Sequence, residues 1–211
     1  MVTLIGFLIF IYSIILHEIA HGLMAERLGD PTARLQKRLT LNPLPHIDPL
    51  MSILFPLFMI LSRFPIIFGS AKPVPIDAYN LKNPKRDMGL IGLAGPLTNL
   101  LLAVILSLVV RLVMAINPQS IFISAFGNGV QINIILAVFN IIPLPPLDGG
   151  RIAVALLPDK YAEALASVEN FGILIIVFLL LFPNRIFSLQ SIIFNTANFL
   201  FKLLFPLSPL V

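Results

Sequence analysis

The stretch from Val2 to Leu28 is apolar almost throughout, yet it carries His17, Glu18 and His21 within five positions. At about 1.5 Å per residue, a helix over this stretch crosses a hydrocarbon core of about 30 Å. Ionisable groups at that depth are costly unless they are paired, metal-bound or wet. Gly29-Asp30-Pro31 then ends the helix. The first run has neither a basic leader nor a small-residue cleavage site, so it is expected to be a retained membrane helix.

Composition extends this reading to the whole chain. Of 211 residues, 58% are apolar and 11% are charged, against roughly 25% charged in a soluble domain. Much of the surface therefore faces lipid. The expected fold class is an all-α polytopic membrane protein with five to six membrane helices and a re-entrant segment. There is no cysteine, which excludes disulfides and thiolate ligands. A bound metal must rely on His, Asp, Glu or backbone oxygen. The net charge of +4 is modest, and the basic residues flank apolar segments. That pattern fits the positive-inside bias and speaks against nucleic acid as a partner.

After the first helix, residues 31–46 read as loop with at most a short strand. The apolar run 47–61 contains Pro56 and is short for a span, for which about 20 residues are expected. Residues 62–87 are basic, and Lys72-Pro73-Val74-Pro75 must be extended, because each proline excludes helix from its predecessor. A long helix is expected over 88–115. Another is expected from near Gly127, broken by Pro143, Pro145 and Pro146 before Asp148-Gly149-Gly150. Irregular backbone at membrane depth is tolerated where it is buried in protein or lines a wet cavity, so this break points to a site. Two further helices are expected, at 161–182 and 186–205. The second is polar enough to lie at the interface instead. No repeat or linker divides the chain. It reads as one membrane-embedded domain, 1–211, with a core over about 1–158 and C-terminal helices over about 160–206.

His17 and His21 are four residues apart and share one face of their helix. That spacing suits two ligands of a tetrahedral zinc, and Glu18 after the first ligand completes the H-E-x-x-H arrangement, with Glu as general base. The alternatives are a chance match or a hydrogen-bonded structural cluster. A catalytic zinc needs a third protein ligand and an open position. Asp148 stands out among the carboxylates; its bland reading is a turn residue before glycine. Gly89, Gly92 and Gly95 leave a flat stripe where another helix packs closely. Asn99 and Asn140 are amides that need partners in the bundle interior.

His17-Glu18-Ile19-Ala20-His21, the run from Asn140 through Pro143, Pro145 and Pro146 to Asp148-Gly149-Gly150, and Gly92-Leu93-Ala94-Gly95-Pro96-Leu97-Thr98-Asn99 between them resemble the site-2 protease family of intramembrane metalloproteases. The resemblance covers about residues 10–155. It implies Zn2+ held by His17, His21 and Asp148, with Glu18 as base. It also implies that the substrates are membrane-spanning helices, cut within or near the bilayer. Asn99 and Asn140 become candidates to hold substrate backbone, beside the structural reading of each. Many relatives carry a PDZ domain between the first two motifs. No stretch here is long and polar enough for one, so the chain reads as a minimal form.

His17 and His21 lie toward the C-terminal half of their helix and Asp148 toward that of its own. To meet at one depth, the two helices should run parallel and 47–61 should be re-entrant; if 47–61 spans, both motifs must sit near the midplane instead. With 47–61 re-entrant, residues 29–87, with Arg34, Lys37, Arg38, Arg63, Lys72, Lys82, Lys85 and Arg86, share one side, and the uncharged 116–126 lie opposite. The positive-inside rule puts the basic side, and the zinc, toward the cytoplasm. The expected location is the plasma (inner) membrane of a prokaryote. Two rivals belong to other classes: a membrane metal-binding or transport protein, and a catalytically inactive scaffold that binds helices. His46, the one histidine outside the motif, is either a loop anchor bonded to Asp48 or a backbone carbonyl, or a gate or resting ligand at the metal. Oligomeric state is not fixed by the sequence.

Overall fold

The computed structural model describes residues 2–63, 69–182 and 188–205, and among these it holds nine α-helices and no strand. The first helix, α1 (Val2–Leu28), ends at Gly29, which takes φ +115° while the Asp30 N–H reaches back to the Ala25 carbonyl at 2.9 Å. Glycine is favoured at such a left-handed terminus. The loop that was expected to hold at most a strand carries α2 (Thr32–Leu35) and a 3-10 turn at Leu44–His46.

Asp48 then accepts from the Leu50 and Met51 N–H groups, both at 2.9 Å. This caps a π-helical turn (Pro49–Leu54) that continues as α3 (Phe55–Leu61). The chain is back beside its starting point at Ser70. The Ser70 N–H bonds the Met51 carbonyl at 3.2 Å, and its own carbonyl accepts from Ser52 Oγ at 2.7 Å.

Helix α4 (Pro84–Ile116) starts four residues before the expected position. Pro84 suits the first helical turn, and the Asp87 carboxylate accepts from the Asn83 N–H at 2.9 Å. Helix α5 (Ile121–Asn140) starts earlier than the expected Gly127 because Ser120 caps it, accepting from the Phe122 N–H. Gly129 lies inside the helix as a packing position. A β-carbon there would stand 3.0 Å from Ile9 and 3.1 Å from Leu106.

Contacts along α1 fix the directions. Ile9 meets Gly129 and Ser13 meets Asn133, so α1 and α5 run parallel, as the parity of crossings requires. His17 meets Asn99 and His21 meets Ile91, so α4 is antiparallel to α1.

After α5 the backbone is irregular through residues 141–147, with a cis Pro145–Pro146 bond, and α6 (Asp148–Leu156) begins anew. Asp148 therefore opens its own helix; it is not on the C-terminal half of a continuous one, because three prolines separate it from α5. The single helix expected over 161–182 is two, α7 (Asp159–Ala166) and α8 (Glu169–Leu181), bent by 70°. Each half has its own anchor. Asp159 pairs with Lys85 at 2.6 Å, whereas Gly172 packs so closely on the Pro145 carbonyl that no β-carbon would fit. Helix α9 (Leu189–Leu204) completes the described chain; the expected start at Ile186 lies outside the described residues.

Among the described residues three helices, α1, α4 and α5, are long and apolar enough to cross a membrane, and α7 with α8 makes a fourth if the bent pair is one span. Leu4 and Leu112 are 61% and 63% exposed, among many outward apolar side chains. Such a surface suits lipid and not water. The inner apolar core joins α4, α5, α8 and α9 through Ala103, Val130, Ile134, Ile176 and Ile193. The molecule is an integral membrane protein.

Candidate metal centre

The helical spacing of His17 and His21 puts both imidazoles on the face of α1 that α4 covers, and both are buried. Each is held through Nδ1. The His17 Nδ1–H donates to Asn99 Oδ1 at 2.6 Å, and the His21 Nδ1–H donates to the Ile91 carbonyl at 2.6 Å. A neutral imidazole carries one proton, so each Nε2 presents a lone pair. The two Nε2 atoms are 3.0 Å apart. Asp148 Oδ2 stands 3.1 Å from one and 3.2 Å from the other, and it is buried without a hydrogen-bond donor.

Three lone-pair atoms thus form a nearly equilateral triangle away from water. Alone they repel; a cation between them turns all three into ligands. A tetrahedral zinc with bonds of about 2.0–2.1 Å separates its ligands by about 3.3 Å, close to these edges. The set of two imidazole nitrogens and one carboxylate oxygen suits zinc, and the paired Nδ1–H groups are the outer contacts such ligands need. The donors present therefore fit the metal.

Neighbouring glycines make room. A β-carbon on Gly95 would lie 2.5 Å from both His17 Cε1 and His21 Nε2. Gly89 and Gly92 pack instead against α6, at Ala155 and at the Asp148 carbonyl. The stripe is thus a packing surface at two positions and part of the centre at the third. Gly149 and Gly150 seat the start of α6 against Ile141 and Pro145, where a β-carbon would collide with backbone.

Glu18 projects beside the histidines and is half-buried. Its Oε2 accepts from the Val74 N–H at 2.9 Å. Val74 belongs to the proline-bounded segment, which carries no helix. Lys72 anchors that segment: its N–H bonds the His46 carbonyl at 2.9 Å, and its carbonyl accepts from Arg38 at 2.7 Å.

The sequence profile of peptidase family M50 matches residues 109–183. "Putative zinc metalloprotease YwhC" of Bacillus subtilis (strain 168) is 37% identical over 186 residues, covering 84% of this chain and 80% of that protein. The chain belongs to peptidase family M50. "Putative zinc metalloprotease Rip2" of Mycolicibacterium smegmatis is 34% identical over 182 residues, covering 83% of this M50 chain and 66% of the relative. "Zinc metalloprotease MJ0392" of Methanocaldococcus jannaschii is 26% identical over 193 residues, covering 88% and 46%. No solved structure matches the M50 chain.

The remaining candidate residues of the M50 chain separate. Asn99 is fully buried, with its oxygen on His17 and its nitrogen on Asn133 at 3.0 Å and the Ser13 carbonyl at 3.4 Å. Asn140 is half-buried and donates to the Leu136 carbonyl at 3.0 Å, within its own helix. His46 is buried in the loop wall, with Nε2 on the Thr40 carbonyl at 2.9 Å; Asp48 caps the next helical turn instead. Among the described residues the clustered donors are His17, His21 and Asp148. Sequence reasoning did not single out Ser13, Asn133 or the Ile91 carbonyl. Ser13 and Asn133 had a signal, since each is a polar side chain on an otherwise apolar helix.

Proposed function

We propose that this M50 peptidase is an intramembrane zinc endopeptidase that cuts membrane-spanning helices, with His17, His21 and Asp148 as ligands and Glu18 as general base. The observation that carries the reading is the convergence of three buried lone pairs, 3.0–3.2 Å apart, next to a carboxylate on a membrane-length helix. When bound, zinc acidifies a water and polarises the scissile carbonyl. Glu18 accepts the proton of the attacking water and returns it to the leaving nitrogen. His17 and His21 stay neutral and fixed through Nδ1, and Gly95 keeps the space before them clear of side chain.

A cavity of about 440 Å3 supports access from the lipid side. It is lined by Phe7, Ile11 and Ile14 of α1 and by Ile53 and Ala71 of the opposite wall. Positions 7, 11, 14 and 18 fall on one helical stripe, so the cavity follows the face of α1 that leads to Glu18. An apolar segment must unwind to expose its carbonyls, and this cavity offers it apolar walls. The hydrogen bonds from Ser70 back to Met51 and Ser52 support Pro49–Leu61 as a re-entrant segment. With that segment on one side, α1, α4, α5 and the bent α7–α8 pair supply four of the five to six expected membrane helices, and the basic residues of 29–87 favour a centre toward the cytoplasm.

The test uses purified protein and a membrane-helix substrate. About one zinc per chain, chelator-sensitive cleavage and a Glu18→Gln variant that keeps zinc but loses on the order of a hundredfold or more in rate are expected. Near wild-type cleavage by Glu18→Gln would remove Glu18 from the chemistry. Zinc binding without cleavage of any membrane helix would favour the transport or scaffold reading.

A further inference from the structure

The two histidines are oriented by different means. His21 donates directly to a backbone carbonyl of α4, whereas His17 donates to a side-chain amide that could equally turn its nitrogen toward the ring. Asn99 Nδ2 makes one long bond to the Ser13 carbonyl at 3.4 Å, and the shorter contact that fixes the amide, to Asn133, is itself oriented further off. The Gly129 carbonyl can only accept, so the group of Asn133 that stands 2.9 Å from it is Nδ2. The same nitrogen stands 2.8 Å from Ser13 Oγ, whose proton goes to the Ile9 carbonyl at 2.7 Å, so Ser13 also accepts from it. Asn133 Oδ1 therefore faces Asn99, and only Asn99 Nδ2 can meet it, at 3.0 Å. Asn99 Oδ1 is left toward His17 and accepts from Nδ1–H at 2.6 Å.

We infer that Asn133 is a positioning residue for the metal centre. Through Asn99 it fixes the tautomer of His17, so that Nε2 presents its lone pair beside His21 and Asp148. Every member is buried: Asn99 and Asn133 are fully enclosed, and Ser13 is 3% exposed. No water is needed to complete the chain of donors, and its direction is set by the backbone carbonyls of Ile9 and Gly129, with the longer contact to the Ser13 carbonyl agreeing. Asn133 thereby makes α5 part of the centre, although its contact with the ligands passes entirely through α4. Ser13 is the lesser member, because the Gly129 carbonyl orients Asn133 without it.

This inference rests on the reading of His17, His21 and Asp148 as ligands, and the test separates the two. Zinc affinity of the full chain is measured by competition with a chromophoric chelator, independently of cleavage. Wild type failing to bind zinc would overturn both readings. With wild type binding, Asn133→Leu is expected to weaken affinity by about 10–100-fold, the usual effect of losing an outer contact. Asn133→Ala is measured in parallel, so that a packing failure of the larger side chain does not decide the result. Ser13→Ala is expected to stay within about threefold of wild type, well short of that range. The decisive variant is Asn99→Asp in the Asn133→Leu background. A carboxylate accepts from His17 whichever way it is turned, so affinity should return to within about threefold of wild type. Both apolar variants binding zinc as wild type would overturn the relay. So would a double variant that stays as weak as Asn133→Leu, since that is the behaviour of a merely structural amide.

Discussion

The Val74 backbone N–H and the Glu18 carboxylate are joined by a hydrogen bond of 2.9 Å across 56 residues of sequence. It holds one oxygen of the proposed base and leaves the other for water. Val74→Pro removes that N–H in a segment where Pro73 and Pro75 already disfavour helix, whereas Val74→Ala keeps it. The proline variant is expected to lose on the order of tenfold in kcat, about 1.4 kcal/mol, with zinc content unchanged. The alanine variant should stay near wild type. Equal effects of the two substitutions on kcat would show that side-chain packing matters, not the N–H.

Gly95→Ala places a methyl group 2.5 Å from His21 Nε2, where a ligand lone pair points. Its effect should resemble that of Asp148→Ala: lower zinc occupancy and lower activity, by metal analysis and cleavage assay on the same preparation. Asp148→Ala leaves two histidines to hold the metal alone, which is incomplete for zinc. Full zinc retention by Asp148→Ala would require another third ligand.

Asp30 ties the end of α1 to the segment before α4. It is fully buried and accepts from the Thr32 N–H at 3.1 Å, the Thr32 hydroxyl, the Asp77 N–H at 2.8 Å and the Asn80 side chain at 2.9 Å. Burial alone would raise its pKa, but these donors outweigh it and hold the carboxyl below its ordinary value of 3.8. A depressed folded pKa stabilises the fold in full above the unfolded value, and the contribution is lost as pH falls through the folded pKa. Asp30→Ala strands the donors and should cost about 2 kcal/mol, on the order of 5 °C in Tm. The difference from wild type should shrink only below about pH 4. A gap that closed between pH 8 and pH 6 would point to a different group.

His46→Ala removes the bond to Thr40 from the loop whose backbone holds Lys72. Zinc stoichiometry is expected to be unchanged, and activity should fall by less than about tenfold as the segment carrying Val74 loosens. Weaker zinc binding together with faster cleavage would instead identify His46 as a ligand of the resting enzyme.

The proposed ligands and base were legible in sequence because ionisable groups on a membrane-length apolar helix demand a reason. The parallel course of α1 and α5 was legible too, since it follows from counting crossings. Other features depend on partners that periodicity does not name. The bend between α7 and α8 arises where Lys85 holds one half and Pro145 receives the other. The early start of α5 rests on the Ser120 cap, while Gly127 resembled a boundary within an apolar run. Asn133 is an amide whose meaning appears only when Gly129, Ser13 and Asn99 surround it.

Ile91, Gly95 and Asn99 meet His21, both histidines and His17 in turn, at successive four-residue steps of α4. The antiparallel helix thus repeats the period of the histidine pair and reads it like a ruler. Lengthening α4 by a single residue between Ile91 and Asn99 would swing everything beyond it by about 100°. The carbonyl, the clearing and the amide could then no longer face α1 together. In this stretch the spacing between residues constrains the enzyme as tightly as their identity, and substitutions around the marks should be far better tolerated than any change of length.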